Sequence, residues 1–233
     1  DTGAVHTCGI LENGSAMCWG RDTYGQLGDG GEATTNIRPR TYIDAPNDLT
    51  VSQIFTGPYR TCAILSNDAT NCWGFNEDGQ SGDESTNTYK SPTNAVEFPE
   101  GRVAKAIGMG HKHTCAILDN DQLACWGADL HGALGNGDSN SEDQYLPVII
   151  STPADRTTVK VEAGVSHTCL LMDDGGIMCW GRDNVGQLGN GESNPTTYAP
   201  ESDVILPEGR VATDLSVGNE HSCAILDNAS IIC

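Results

Sequence analysis

Positive charge is scarce in this 233-residue sequence, which sets 12 Lys and Arg against 32 Asp and Glu for a net charge of −20. With so few cations to displace counterions, the chain repels phosphate backbones and anionic membranes, and nucleic acid is not an expected partner. Long apolar runs are missing too. No stretch approaches the roughly 20 residues of a membrane-spanning helix, so membrane insertion is not expected. The opening residues DTGAVHTC carry neither the charged nor the apolar region of a signal peptide, and the expectation is that any such segment has been removed. Aromatic residues are few, 6% of the chain with only three Phe, whereas glycine is abundant at 28 residues. That balance suits a turn-rich β protein with a solvated acidic surface better than a helical one.

No cysteine is left over. The ten fall into five couples, each ten positions apart: Cys8 and Cys18, Cys62 and Cys72, Cys115 and Cys125, Cys169 and Cys179, Cys223 and Cys233. First cysteines recur every 53 or 54 residues, a period typical of solenoids and propellers. Five positions before each stands a glycine (Gly3, Gly57, Gly110, Gly164, Gly218), and three before that, where the chain extends so far, an aliphatic residue (Ile54, Ile107, Val161, Leu215). Trp-Gly follows the second cysteine four times, at Trp19, Trp73, Trp126 and Trp180, and these are the only tryptophans. Next come GQLG at Gly25, GQSG at Gly79, GALG at Gly132 and GQLG at Gly186, then Pro39, Pro92, Pro147 and Pro200 in the variable stretches.

Each copy reads as β structure. TVKVEAG and VATDLSVG alternate with period two, as half-buried strands do. HTCAILDNDQLACWG, from His113 to Gly127, reads as a hairpin centred on Asn120, with Cys115 opposite Cys125 and Ile117 opposite Leu123. The central residue is Asn13, Asn67, Asn120, Asp174 or Asn228, types that tolerate the left-handed conformation expected there. Both faces are apolar, with Ile117 and Leu123 on one and Leu118, Ala124 and Trp126 on the other. A strand pair buried on both sides needs a sheet above and a sheet below. Radially stacked small sheets supply this, and the expected fold is an all-β β-propeller.

GMGHKHTCAILDNDQLACWGADLHGALGNG (Gly108 to Gly137) and GVSHTCLLMDDGGIMCWGRDNVGQLGNG (Gly164 to Gly191) resemble the repeat of the regulator of chromosome condensation family. The shared pattern is Gly, His, a short apolar strand, an Asp-Gly-type turn, Trp-Gly and Gly-Gln-Leu-Gly, and it spans the chain. The resemblance implies a propeller, seven-bladed in the founding member, and the added cysteines depart from that member as in an extracellular variant. Repeat units fall near 1–54, 55–107, 108–161 and 162–215, with a partial unit at 216–233, all within one expected domain over 1–233. Five hairpins alternate with four full intervening segments, so the expectation is an incomplete ring or part of a longer, seven-bladed propeller, a compact five-bladed ring with one thin blade, or exposed strand edges that pair with other copies into an oligomer or filament.

The chemistry is weighed against this repeat. Directly opposed cross-strand cysteines lie within disulfide range, and closing such a loop contributes roughly 2–3 kcal/mol. Zinc sites favour cysteines two to four residues apart and need a fourth ligand, which no copy consistently supplies. The expectation is five disulfides, an oxidising compartment, and no metal or cofactor. His6, His113, His167 and His221 share one repeat position, occupied by Arg60 in the second copy, and read as packing or hydrogen-bonding residues. His111 and His131 break the repeat; His111 and His113 share a strand face that suits a metal, but a solvated His111 is the simpler reading. No nucleophile elbow and no Ser or Cys apart from the repeat is found, so no catalytic residue is expected. The acid-rich loops GDGGE, GNGDSNSED and GNGES leave calcium as a lesser alternative, although none has the EF-hand spacing. Sequons at Asn13-Gly-Ser15 and Asn228-Ala-Ser230 are glycosylation candidates at hairpin turns.

The function expected is therefore a non-enzymatic extracellular structural or interaction module with a protein or glycan partner. Its contact surfaces are expected in the variable segments Gly31 to Asp48 and Asp138 to Ile150. Two alternatives follow from the resemblance. One is nucleotide exchange on a small GTPase, the founding member's activity; the other is secreted enzyme inhibition, for which an aromatic cluster on one rim would be the mark.

Overall fold

The computed structural model describes residues 1–31, 34–39, 41–191 and 196–233. Contacts divide the chain into two compact units, residues 1–104 with 145–147, and residues 105–144 with 148–233. The first unit holds two antiparallel sheets. One runs β1 (His6–Ile10), β2 (Ala16–Arg21), β3 (Thr35–Asn36); the other runs β4 (Val51–Thr56), β5 (Arg60–Leu65), β6 (Thr70–Gly74). The second unit is built on three sheets. They comprise β7 (Ala104–Met109), β8 (His113–Leu118), β9 (Leu123–Gly127) and β10 (Gln144–Ile150); β11 (Thr158–Ala163), β12 (His167–Met172), β13 (Ile177–Arg182) and β14 (Thr196–Thr197); and β15 (Ala212–Val217), β16 (Ser222–Leu226) and β17 (Ile231–Ile232).

The hairpin register follows the cysteine spacing. Cys115 stands opposite Cys125 and Ile117 opposite Leu123 in β8–β9, and Cys8, Cys62 and Cys169 likewise face Cys18, Cys72 and Cys179. All five couples are bonded, with Cα atoms 4.0–4.1 Å apart. Strands β8 and β9 are buried at every position. That two-sided burial is what an apolar pattern on both faces demands.

The turn is built differently from the expectation. The left-handed residue is the one after the central Asn or Asp: Gly14, Asp68, Asp121, Gly175 and Ala229. The central side chain instead accepts a hydrogen bond from the backbone N–H two residues on. Asn13 takes Ser15 at 3.0 Å, Asn67 takes Ala69 at 3.2 Å, Asn120 takes Gln122 at 3.2 Å, Asp174 takes Gly176 at 2.9 Å and Asn228 takes Ser230 at 3.0 Å. This Asx turn selects Asn or Asp for its short acceptor rather than for its backbone. A second feature absent from the sequence reading is a register shift at one place in β4, β11 and β15, beside Ser52, Val159 and Thr213. Each is a bulge that increases local twist.

Within each unit the sheets pack face to face. In the first, β1 lies beside β4; in the second, β8 lies beside β11, and β11 and β12 lie beside β15. The recurring glycine makes this approach possible. A Cβ on Gly110 would sit 2.4 Å from His113 Cε1 and 2.5 Å from the Gly164 carbonyl oxygen, and one on Gly164 would sit 2.3 Å from His167 Cε1. Between the sheets lie separate cores, one around Leu27 and Trp73, one around Leu134 and Trp180, and one around Leu188 and Leu215.

Candidate functional site

Three of the four repeated histidines join neighbouring blades, while His221 is exposed. His6 Nε2 lies 2.8 Å from Thr61 Oγ1, His113 Nε2 lies 2.8 Å from Thr168 Oγ1, and His167 Nε2 lies 3.1 Å from Ser222 Oγ. Each hydroxyl donates onward to a backbone carbonyl in the GxxG loop: Thr61 to Gln26, Thr168 to Ala133, Ser222 to Gln187. A hydroxyl that has given its proton away must accept, so the imidazole donates from Nε2. Burial pushes the His6 and His167 rings down to about 4. Their Nδ1 atoms are enclosed without a partner, so neither ring is placed to exchange protons with a substrate. Trp73 and Trp180 donate from Nε1 to the same Gln26 and Ala133 carbonyls at 3.1 and 3.0 Å. Histidine, hydroxyl, carbonyl and indole thus form one contact that repeats from blade to blade. In the second copy Arg60 takes the histidine position, fully buried, its guanidinium lowered to about 9 by burial, with Asp78 opposing the shift.

Sequence reasoning missed two parts of this scaffold. One is the hydroxyl directly before each first cysteine (Thr7, Thr61, Thr114, Thr168, Ser222); its fixed place was the available clue. The other is Asp22, Asn76, Asp129 and Asp183, each three residues after a tryptophan. Their Oδ1 atoms accept the N–H five residues on, from Leu27, Ser81, Leu134 and Leu188 at 2.7–3.1 Å, and so shape the GxxG loop. Burial pushes the Asp22 and Asp129 carboxyls up to about 6, and raises Asp183 as well.

What does not repeat gathers at the open ends of the hairpins. One further backbone bond there joins Val5 to Arg21, Tyr59 to Phe75, Lys112 to Ala128 and Ser166 to Arg182, and the residue before each GxxG glycine is Tyr24, Asp78, His131 or Val185. Apart from the arginine shared by Arg21 and Arg182, residue type changes from copy to copy at these positions, whereas the Asx turn at the closed end keeps Asn or Asp. In the first unit the open ends form an aromatic trio, partly exposed, with Tyr24 edge-on to Tyr59 at 5.7 Å and to Phe75 at 5.0 Å.

Among the described residues no group of three or more His, Cys, Asp or Glu is placed to hold a metal. His113 is buried against Thr168, while His111 is partly exposed and His131 is exposed. Of the acid-rich loops, Glu32 in GDGGE and Glu192 and Ser193 in GNGES lie outside the described residues, as do Ala33 and Arg40 of the variable segment Gly31 to Asp48. No helix among the described residues is long and apolar enough to cross a membrane. Asn13 and Asn228 are exposed at their turns.

Hairpins, blade contacts and loop caps of this kind define a propeller of short repeats. Two profiles of the regulator of chromosome condensation (RCC1) repeat match the chain, one at residues 1–26, 104–133 and 158–187, the other at 72–117, 120–171 and 174–225. The chain belongs to this family. The ultraviolet-B receptor UVR8 of Arabidopsis thaliana is 30% identical over 217 residues, 93% of this chain and 48% of UVR8. Yeast RCC1 (Prp20), solved bound to Kap60, superposes with a TM-score of 0.82 at 19% identity, covering 99% of this chain and 54% of that one. The ectodomain of the receptor kinase ACR4 from Arabidopsis thaliana superposes at 0.56 with 20% identity, covering 100% and 60%. The chain spans about half the length of these relatives.

Proposed function

We propose that this chain is a non-enzymatic, extracellular protein-interaction module whose binding surface is the open end of its hairpins, and that residues 1–233 belong to one propeller domain. The observation that carries the reading is the division of labour between positions. His6, His113 and His167 are committed to blade contacts, while unlike residues stand at the open ends and include the partly exposed Tyr24–Tyr59–Phe75 trio. Aromatic clusters of this kind supply large contact area at low conformational cost. Five disulfides in an acidic chain support an oxidising compartment. A receptor-kinase ectodomain and a propeller bound to Kap60 among the similar structures support the interaction role. Asn13 and Asn228 would then carry glycans in a eukaryotic secretory pathway, which a mass loss on enzymatic deglycosylation would register.

A second reading, secreted enzyme inhibition, is favoured by the same trio, since an aromatic cluster on one rim is its mark. Nucleotide exchange in the cytosol fits the disulfides poorly. The test is the triple variant Y24A/Y59A/F75A. A partner captured from extracellular medium by the native protein should be lost by the variant, at least about a hundredfold in Kd, as for a hot-spot cluster, with melting temperature and disulfide count unchanged. Retention of the partner by the variant, or turnover of a substrate by the purified protein, would overturn the proposal.

A further inference from the structure

Asp22, Asn76, Asp129 and Asp183 cap their loops alike with Oδ1, which accepts the N–H five residues on. They differ in the second side-chain atom. At Asn76 it is a donor: Nδ2 reaches the carbonyls of Ser85 and Asn87, both at 3.0 Å, and so ties the variable segment to the GxxG loop. At Asp129, which is fully buried, it is Oδ2, enclosed and without a partner. An ionised carboxylate only accepts. Asp129, Asp138 and Asn140 each stand 53 residues after Asn76, Ser85 and Asn87. By the repeat, the third blade has an oxygen where the second places an N–H between two carbonyls.

Two further observations say what belongs there. The first is charge. Asp138 and Asp143 both oppose the ionisation of Asp129, whereas Asp22 is eased by Lys90. The residue that covers the GxxG loop is Lys90 at Gly25 but Tyr198 at Gly132, so the third blade lacks that cation. The second is the segment that follows. Asn136 and Asp138 each accept the N–H two residues on, at 2.8 and 3.1 Å, and the backbone turns at Ser141 with φ 55°. Calcium loops likewise set oxygen ligands at alternate positions before a sharp turn. The twelfth place, an acid in an EF-hand, is Pro147 here; Asp129 offers a carboxylate from outside the loop instead.

We propose that Asp129 anchors a calcium site: its Oδ2 binds the ion from the loop cap, and the Asp138 carboxylate with the Asp138 and Asn140 carbonyls binds it from the variable segment. Ligands that are all oxygen suit a hard cation, and a flexible loop suits calcium better than magnesium. Only two carboxylates ligate, so the site needs no acidic trio at one point, and none is found among the described residues. Asp143 Oδ1 accepts the Asp129 N–H at 3.2 Å and adds negative charge without ligating. The ion does for the third blade what Asn76 Nδ2 does for the second. The site involves none of Tyr24, Tyr59 and Phe75, and the two proposals stand or fall separately.

The experiment titrates calcium chloride into the chelator-treated, isotope-labelled chain and follows backbone amide shifts. Saturable shifts are expected at Leu134 and from Asn136 to Asp143, with a Kd of about 0.1–1 mM, as in extracellular modules. Saturating calcium should also raise the melting temperature. Asp129→Asn keeps the acceptor for Leu134 and restores the donor of the second blade, so it should fold and bind calcium at least about tenfold more weakly. Asp138→Asn, in an exposed loop, should weaken binding similarly and leave the melting temperature of the metal-free chain unchanged. Magnesium should bind at least about tenfold more weakly than calcium. No saturable shift below about 10 mM calcium, shifts spread evenly over the acidic surface, or equal binding by Asp129→Asn would each overturn the proposal.

Discussion

The hairpins β12–β13 and β16–β17 carry the same sequence pattern and the same staple, yet they end in different environments. Every residue of β12 is buried, and Trp180 on β13 is fully enclosed. In the last hairpin Ile225 is 40% and Ile231 69% exposed, although Cys223 and Cys233 are bonded just as Cys169 and Cys179 are. The staple therefore does not bury a hairpin. Burial comes from sheets on both sides and from the indole that enters the preceding blade's GxxG loop. For β12–β13 those neighbours are present within its own unit, since β8 packs beside β11 and β15 packs beside β11 and β12.

The largest test of this contrast is Trp180→Ala, which empties a fully buried site and removes the bond to Ala133. It should lower stability by about 3–5 kcal/mol in urea unfolding. Ile231→Ala, in the exposed hairpin, should stay within about 0.5 kcal/mol. Next come two glycines at one repeat position. Gly135→Ala combines a left-handed backbone with a clash against Trp180 and should cost about 2–4 kcal/mol, whereas Gly189→Ala faces the backbone cost and a mild contact and should cost about 1 kcal/mol. If the two behave alike, the indole is not what constrains the loop.

A smaller difference is expected at the hydroxyls. Thr168→Val strips His113 of its acceptor and Ala133 of one donor in a buried site, for about 1–3 kcal/mol; Ser222→Ala, partly exposed, should cost about half as much. The smallest effects are in pH dependence. His6 and His167 are held at about 4, while the unfolded chain protonates near 6.5, so they withdraw stability as pH falls from about 6.5 to 4. Asp22 and Asp129 are held at about 6 and ionise near 3.9 when unfolded, so their burial withdraws stability as pH rises from about 3.9 to 6. The two sets oppose one another. Asp129→Asn keeps the acceptor for Leu134, as Asn76 does for Ser81 in the second copy, and should be more favourable at pH 7 than at pH 4 by about 1–2 kcal/mol.

The sequence made the hairpin register legible because cysteines ten apart, with Ile117 and Leu123 between them, admit one pairing that keeps both faces apolar. The period and Trp-Gly then dictated stacked sheets. Recurrence alone marks the histidines as structural, and His6, His113 and His167 do join blades, whereas His221 is exposed. Their partners were not visible, since His6 and Thr61 are 55 residues apart in the chain and neither type requires the other. The turn was misread because Asn has two talents, a tolerant backbone and a short acceptor, and only the second is used at Asn13 or Asn120. Tyr24, Tyr59 and Phe75 fall at three different repeat positions, so nothing in the period announced that they meet.

Native-state hydrogen exchange on residues 1–233 tests the central claim most directly, because it reads each hairpin separately. If neighbouring blades rather than staples hold the hairpins, amides of β12 and β13 should be protected at least about a hundredfold more strongly than those of β16 and β17, with all five disulfides intact. Equal protection in the two hairpins would mean that the staple is sufficient, and would contradict the account.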